Sequence, residues 1–329
     1  MHNDLGGVVL EGLGWLVGFI AAATAVVLVG YGAIVIDGRL ARRGAHTASE
    51  RTALGREHRT ALLSMASLVI ATAVAVVTML GRGSAWPMGP VLVPGHIQAT
   101  LPLIGVALLM VIETWRAHRW PRTQGARREA SIHDRTVADL LPTGRRWLWA
   151  WFALLAFTCL ALGLSPSGPR AISRVINEHG AYTITPYPGW LWVLPVMGAA
   201  GLVALALDVA LRATAARPRA IAVTADWDMW LRRRTARRLV RVTCLVLGLT
   251  TGALLAFAAN GLWLVGRGHG NNAQFPGAVS TFYIGGAQAL IVLAAIIALL
   301  AVVQYVTPIR DSPPESQPTP ALAPAGLSS

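Results

Sequence analysis

The chain has 329 residues, of which 54% are hydrophobic and only 13% charged, yet its formal net charge is +13. A soluble chain of this length carries about a quarter of its residues as charged side chains. Half that fraction, beside long apolar runs, excludes an ordinary soluble enzyme and points into a bilayer.

A transmembrane helix needs about 20 mostly apolar residues to cross a hydrocarbon layer of roughly 30 Å. Seven segments meet that demand, near residues 12–36, 61–80, 97–112, 147–164, 190–211, 239–264 and 282–306. The expected fold class is therefore all-α: a polytopic membrane helix bundle with seven predicted transmembrane helices in a single domain over 1–306. The third segment is closely bounded, by Pro102 near its start and Glu113 at its inner end, and without it six spans remain.

The first span is preceded by Asp4 and Glu11 and by no basic residue before Arg39. This lacks the basic region of a cleavable signal peptide, so the span is expected to stay in the mature protein. Basic residues in short loops are retained on the cytoplasmic side. With the N-terminus outside, the inner segments and tail hold 24 arginines, and the outer segments hold only Arg82, Arg170, Arg174 and Arg267. The C-terminus then lies inside. All 28 basic residues are arginine and none is lysine, which fits a GC-rich bacterial genome. Set against the acids on each side, the excess is +12 inside and +1 outside. The +13 thus reads as an orientation signal and an attraction to anionic inner-leaflet lipid, not as a nucleic-acid footprint.

Tryptophan prefers the water–lipid boundary. Trp15, Trp86, Trp190, Trp192 and Trp263 fall at the predicted outer face, and Trp115, Trp120, Trp147, Trp149 and Trp151 at or near the inner one. Trp227 and Trp230 lie in Asp226-Trp227-Asp228-Met229-Trp230-Leu231, ahead of Arg232-Arg233-Arg234. That stretch reads either as an amphipathic lead into the sixth span on the membrane surface or as a helix end packed on its own protein.

After the first span the chain reads as three hairpins that leave and return to the cytoplasm. Gly81-Arg82-Gly83-Ser84 is echoed by Gly266-Arg267-Gly268-His269, and Leu101-Pro102-Leu103-Ile104-Gly105 by Leu194-Pro195-Val196-Met197-Gly198. Internal repeats of this kind occur in membrane transport folds, although short matches among Gly, Leu and Pro also arise by chance. In the inner loop, Ser131-Ile132-His133-Asp134 has capping-box form ahead of a short helix stopped by Pro142. The tail over 307–329, rich in Pro, Ser and Ala, is expected to be a disordered cytoplasmic segment.

Candidate chemistry is sparse. Cys159 and Cys244 lie at different depths and read as apolar filler. Glu113 with Arg116 and Asp208 with Arg212 sit one helical turn apart at inner helix ends, the spacing of inner-face ion pairs at headgroup level. Gln288, the amide at a span centre, is expected to bond a neighbouring helix. On the outer side each hairpin loop contributes one histidine, His96, His179 and His269, with Glu11 and Glu178 at the same level. Such a set would suit a transition metal or haem, or is simply a set of separate loop histidines. No Walker loop, His-Glu-x-x-His or Gly-x-Ser-x-Gly occurs, and no cofactor is expected. Gly14/Gly18 and Gly248/Gly252 would permit close helix contact within a chain or in an oligomer.

The segment Arg217-Pro218-Arg219, followed by Asp226-x-Asp228-x-x-Leu231-Arg232-Arg233 and Thr235-Ala236-Arg237-Arg238, resembles a family of uncharacterised actinobacterial multi-pass membrane proteins. Its members are often encoded near GntR-type regulators and ABC transporters. The resemblance covers about the last third of the chain and implies association with a partner, such as an ABC transporter subunit or other membrane protein. The expectation is an integral protein of the bacterial cytoplasmic membrane acting as a non-enzymatic transport-associated or signalling component. One alternative is a small transporter or permease. A second is a membrane metal or haem protein, or an enzyme, using the outer-loop histidines.

Overall fold

A computed structural model describes residues 47–59, 99–120, 136–141, 144–168, 171–177, 180–185, 187–219, 223–268 and 279–307, with a few isolated positions elsewhere. The first two expected spans, the Gly14/Gly18 pair, Trp15, Trp86, the 131–134 capping motif and the tail beyond 307 apart from Pro314 lie outside them.

Residues 48–59 are helical. The elements that follow are α1 (Leu101–His118), α2 (Val137–Leu140), α3 (Gly144–Leu164), β1 (Ile172–Asn177), β2 (Gly180–Ile184), α4 (Trp190–Ala216), α5 (Ala225–Gly266) and α6 (Thr281–Val306). Pro102 occupies the first turn of α1, where its missing N–H leaves no bond unmade. Helix α1 does not stop at Glu113 but runs on to His118. Thr136 caps α2, its backbone N–H donating to Asp139 Oδ2 at 2.8 Å.

Five of these helices are long and apolar enough to cross a membrane: α1, α3 from Arg145 on, α4, α5 and α6. Their outward surfaces carry large apolar side chains in the open, among them Leu108, Phe157, Leu205, Phe282 and Leu299. Such a continuous apolar exterior is matched by lipid rather than water. The protein is a mostly helical bundle of multi-pass membrane type.

Helix α5 is the axis of the bundle, contacting α1, α3, α4 and α6. Leu239, Leu245, Leu247 and Ala258 along it are buried. At 42 residues it reaches about 63 Å at 1.5 Å per residue, twice the hydrocarbon thickness. The surplus lies at its N-terminal end. There Thr224 accepts from the Trp227 N–H at 3.4 Å, and Asp226 and Asp228 offset the helix dipole in the first turn. Trp227 and Trp230 stack edge to face at 4.9 Å and are buried against Ala45, Ala53, Leu54 and Val223. The stretch from Asp226 is thus a helix end packed on its own protein, not a surface-lying lead. Trp151 is buried within the bundle, and its indole N–H donates to Gln304 Oε1 of α6 at 2.6 Å. Gln288 is exposed on α6 and bonds no other helix among the described residues.

The loop between α3 and α4 adds an element outside the all-α expectation. Strands β1 and β2 pair antiparallel, Ile172 opposite Ile184, with the hydroxyls of Ser173 and Thr183 2.9 Å apart. The hairpin seats on the C-terminal half of α5.

Candidate functional site

Charged side chains buried among the described residues gather near one end of the bundle, where α1 and α4 finish and α5 begins. In α5, Asp228 and Arg232 stand one turn apart and are both fully buried. Arg232 Nε donates to Asp228 Oδ2 at 2.8 Å, and its second nitrogen lies 2.7 Å from the same oxygen. The remaining arm donates to the carbonyls of Thr214 and Ala215 in the last turn of α4. Those carbonyls have no partner within their own helix, so Arg232 serves as a C-terminal cap supplied from another helix.

A second chain of ion pairs runs across three elements. Glu57 lies 3.4 Å from Arg234 Nε and 3.3 Å from Arg238. Arg238 reaches Glu113 at 3.6 Å, and Glu113 meets Arg116 at 3.8 Å. Each carboxylate therefore contacts two guanidinium groups, with Arg238 shared between them, and each is buried. The pairing ties residues 48–59 and the ends of α1 and α5 into one unit.

Arg217 differs from its neighbours. It directly follows α4 and is only 7% exposed, with its guanidinium 4.5 Å from the Trp120 ring centroid. Its Nε and one terminal nitrogen have no hydrogen-bond partner. Burial pushes its pKa down to about 10 despite the raising influence of Asp228, Glu57 and Glu113, while Arg232 adds to the lowering. At neutral pH it remains a cation. Among the described residues, the two sets of ion pairs and Arg217 bring Arg116, Arg217, Arg232, Arg234 and Arg238 together with Glu57, Glu113 and Asp228. A cleft of about 30 Å³ opens among Glu57, Glu113, Arg116, Trp120, Arg217 and Arg238.

Of the residues singled out in the sequence, Glu113 and Arg116 belong to this cluster. Asp208 and Arg212 pair at 2.8 Å, but on the open surface of α4, with side chains 47% and 73% exposed. His96, His179, His269, Glu11 and Glu178 lie outside the described residues. Among the described residues, no three His, Cys, Asp or Glu side chains come together in a way that would hold a metal. Sequence reasoning missed Glu57, Arg217 and the Asp228–Arg232 pair. The last was signalled by its i,i+4 spacing, whereas Glu57 and Arg217 enter only through tertiary packing.

No protein-family model matches the chain, and neither a curated protein nor a solved structure shows significant similarity to it.

Proposed function

We propose that this chain is a multi-pass protein of the bacterial cytoplasmic membrane, with seven spans, the N-terminus outside and the C-terminus inside. In this reading it acts as a non-enzymatic transport-associated or signalling component. The observation that carries the reading is the buried arginine–carboxylate cluster, which joins helices far apart in sequence at the end assigned to the cytoplasm. Around it Arg51, Arg56, Arg59, Arg145, Arg146 and Arg233 are exposed. Exposed surface arginines attract acidic partners and anionic lipid over a Debye length of about 8 Å. The buried pairs beneath them provide a fixed base, so the basic face is presented in one arrangement. The resemblance in the Arg217–Arg238 segment suggests an ABC transporter subunit or other membrane protein as the partner.

A tagged full-length chain, expressed in a GC-rich actinobacterial host and solubilised in mild detergent, is expected to co-purify with such a protein. Replacing Arg51, Arg56 and Arg59 with glutamine is expected to weaken that association, because their side chains are exposed and the buried base is left intact. A chain that purifies alone from mild detergent, with its fold retained, overturns the reading.

A further inference from the structure

We infer that the cleft between the ends of α1 and α4 binds a phosphate group, with Arg217 on the Trp120 ring as its principal ligand and Arg116 and Arg238 as flanking cations. The argument begins with what Arg217 lacks. A guanidinium has five N–H donors in a planar fork, and a buried charge is tolerated only where it is paired and hydrogen-bonded. Arg217 is 7% exposed, yet its Nε and one terminal nitrogen meet no acceptor. Stacking on Trp120 at 4.5 Å engages the face of the guanidinium and leaves the in-plane donors of Nε and one terminal nitrogen without a partner.

The neighbouring carboxylates are already engaged. Glu57 bridges Arg234 and Arg238, Glu113 bridges Arg238 and Arg116, and Asp228 holds Arg232. Among the described residues, Arg116, Arg217 and Arg238 line the cleft against Glu57 and Glu113, an excess of one positive charge, which suits a phosphate carrying at least one negative charge. The Glu57 and Glu113 carboxylates also line the cleft, but each is flanked by two guanidinium groups, so an incoming anion meets a net positive field. The planar fork of arginine matches two oxygens of a phosphate at once, which a halide cannot offer. At about 30 Å³ the cleft exceeds the roughly 10–15 Å³ that one water requires. Burial that depresses the Arg217 pKa to about 10 is the same desolvation that a bound anion would offset.

The phosphate has two sources: the headgroup of an anionic lipid, or free phosphate in solution. That the cleft lies at the level of inner-leaflet headgroups rests on the orientation proposed above. Binding itself does not depend on orientation or on a protein partner, and it is measured where neither enters.

The test uses the purified full-length protein in neutral detergent. Thermal unfolding is followed with inorganic phosphate replacing chloride at fixed ionic strength. In a second arm, short-chain phosphatidylglycerol replaces phosphatidylcholine in mixed micelles. The wild-type Tm is expected to rise by about 3–8 °C in at least one arm, the size given by near-saturating ligand on a domain of this size. Arg217→Gln should unfold no earlier than wild type without ligand and lose the response. Arg217→Lys keeps the charge without the fork and should retain only part of it. A response to inorganic phosphate assigns the free anion, and a response to phosphatidylglycerol alone assigns the lipid headgroup. No response in either arm, or an equal response in Arg217→Gln, overturns the inference. Should Arg217→Gln not fold, Arg217→Lys carries the comparison. Native mass spectrometry of the wild type with neither a phosphate nor a phosphatidylglycerol adduct then overturns the inference alone.

Discussion

Arg232 is held by the Asp228 carboxylate and by two carbonyls at the end of α4, all out of contact with water. A buried ion pair adds little net stability over an apolar pair, because desolvation offsets the attraction. Removing one partner is another matter, since the surviving charge stays buried without compensation. Asp228→Asn therefore is expected to cost about 3–5 kcal/mol of stability, measured as a fall in Tm or a shifted denaturant midpoint in detergent. Asp208→Asn breaks an ion pair of shorter reach into the protein, between side chains 47% and 73% exposed, and is expected to change stability by no more than about 1 kcal/mol. Equal losses in the two variants would contradict the assignment of Arg232 as the cap that fastens α5 to α4.

Helix contacts within the bundle depend on where backbones approach. At Gly248 of α5, an added Cβ would stand 2.5 Å from Ala301 Cβ of α6 and 2.9 Å from the Trp151 ring of α3. At Gly252 it would meet the Ala294 carbonyl oxygen at 3.1 Å. The Gly248/Gly252 pair thus seats α6 on α5 within one chain. Gly201 of α4 has nothing within 4 Å. Gly248→Ala is expected to lower stability by about 1–3 kcal/mol, the range for overpacking, and Gly201→Ala to leave Tm unchanged or slightly higher, both read by thermal unfolding in detergent. Similar behaviour of the two variants would place the α5–α6 contact elsewhere. The same elements show what could be read from the sequence. Helices α3, α4 and α6 begin within a few residues of their apolar runs, because hydropathy and turn residues change together at those points. The start of α5 could not be placed by hydropathy, since Arg232, Arg233, Arg234, Arg237 and Arg238 end the apolar signal while the helix continues. Its polar face is buried by residues 45–54 and by the end of α4, contacts that no local pattern carries. The β-hairpin escaped for a related reason: its strands are five and six residues long and lie in a loop between strong helical signals. For the site, the i,i+3 and i,i+4 spacings pointed to ion pairs, but spacing alone could not separate the buried Glu113 from the exposed Asp208.

Across the whole molecule, the two ends of the bundle differ in charge, and this difference makes the proposed orientation testable. Arg145 begins the membrane-length part of α3, while Val175 stands in β1 beyond its far end. Helix α3 has 21 residues, about 31 Å, enough to cross the hydrocarbon layer once. The two positions therefore lie on opposite sides if α3 spans. Both are exposed, Val175 at 75%. The native cysteines, Cys159 and Cys244, are buried and should stay silent toward a polar thiol reagent. With the arginine-rich end inside, Val175→Cys is expected to react with a membrane-impermeant maleimide in intact cells. Arg145→Cys should react only after permeabilisation. The opposite pattern would invert the protein and place the arginine cluster, with its phosphate cleft, outside the cell. Reaction of both positions in intact cells would mean that α3 does not cross the bilayer. The proposed orientation rests on a 24 to 4 division of arginines, and the cleft at Arg217 meets inner-leaflet lipid only if that division is respected, so this labelling result decides which leaflet the cleft faces.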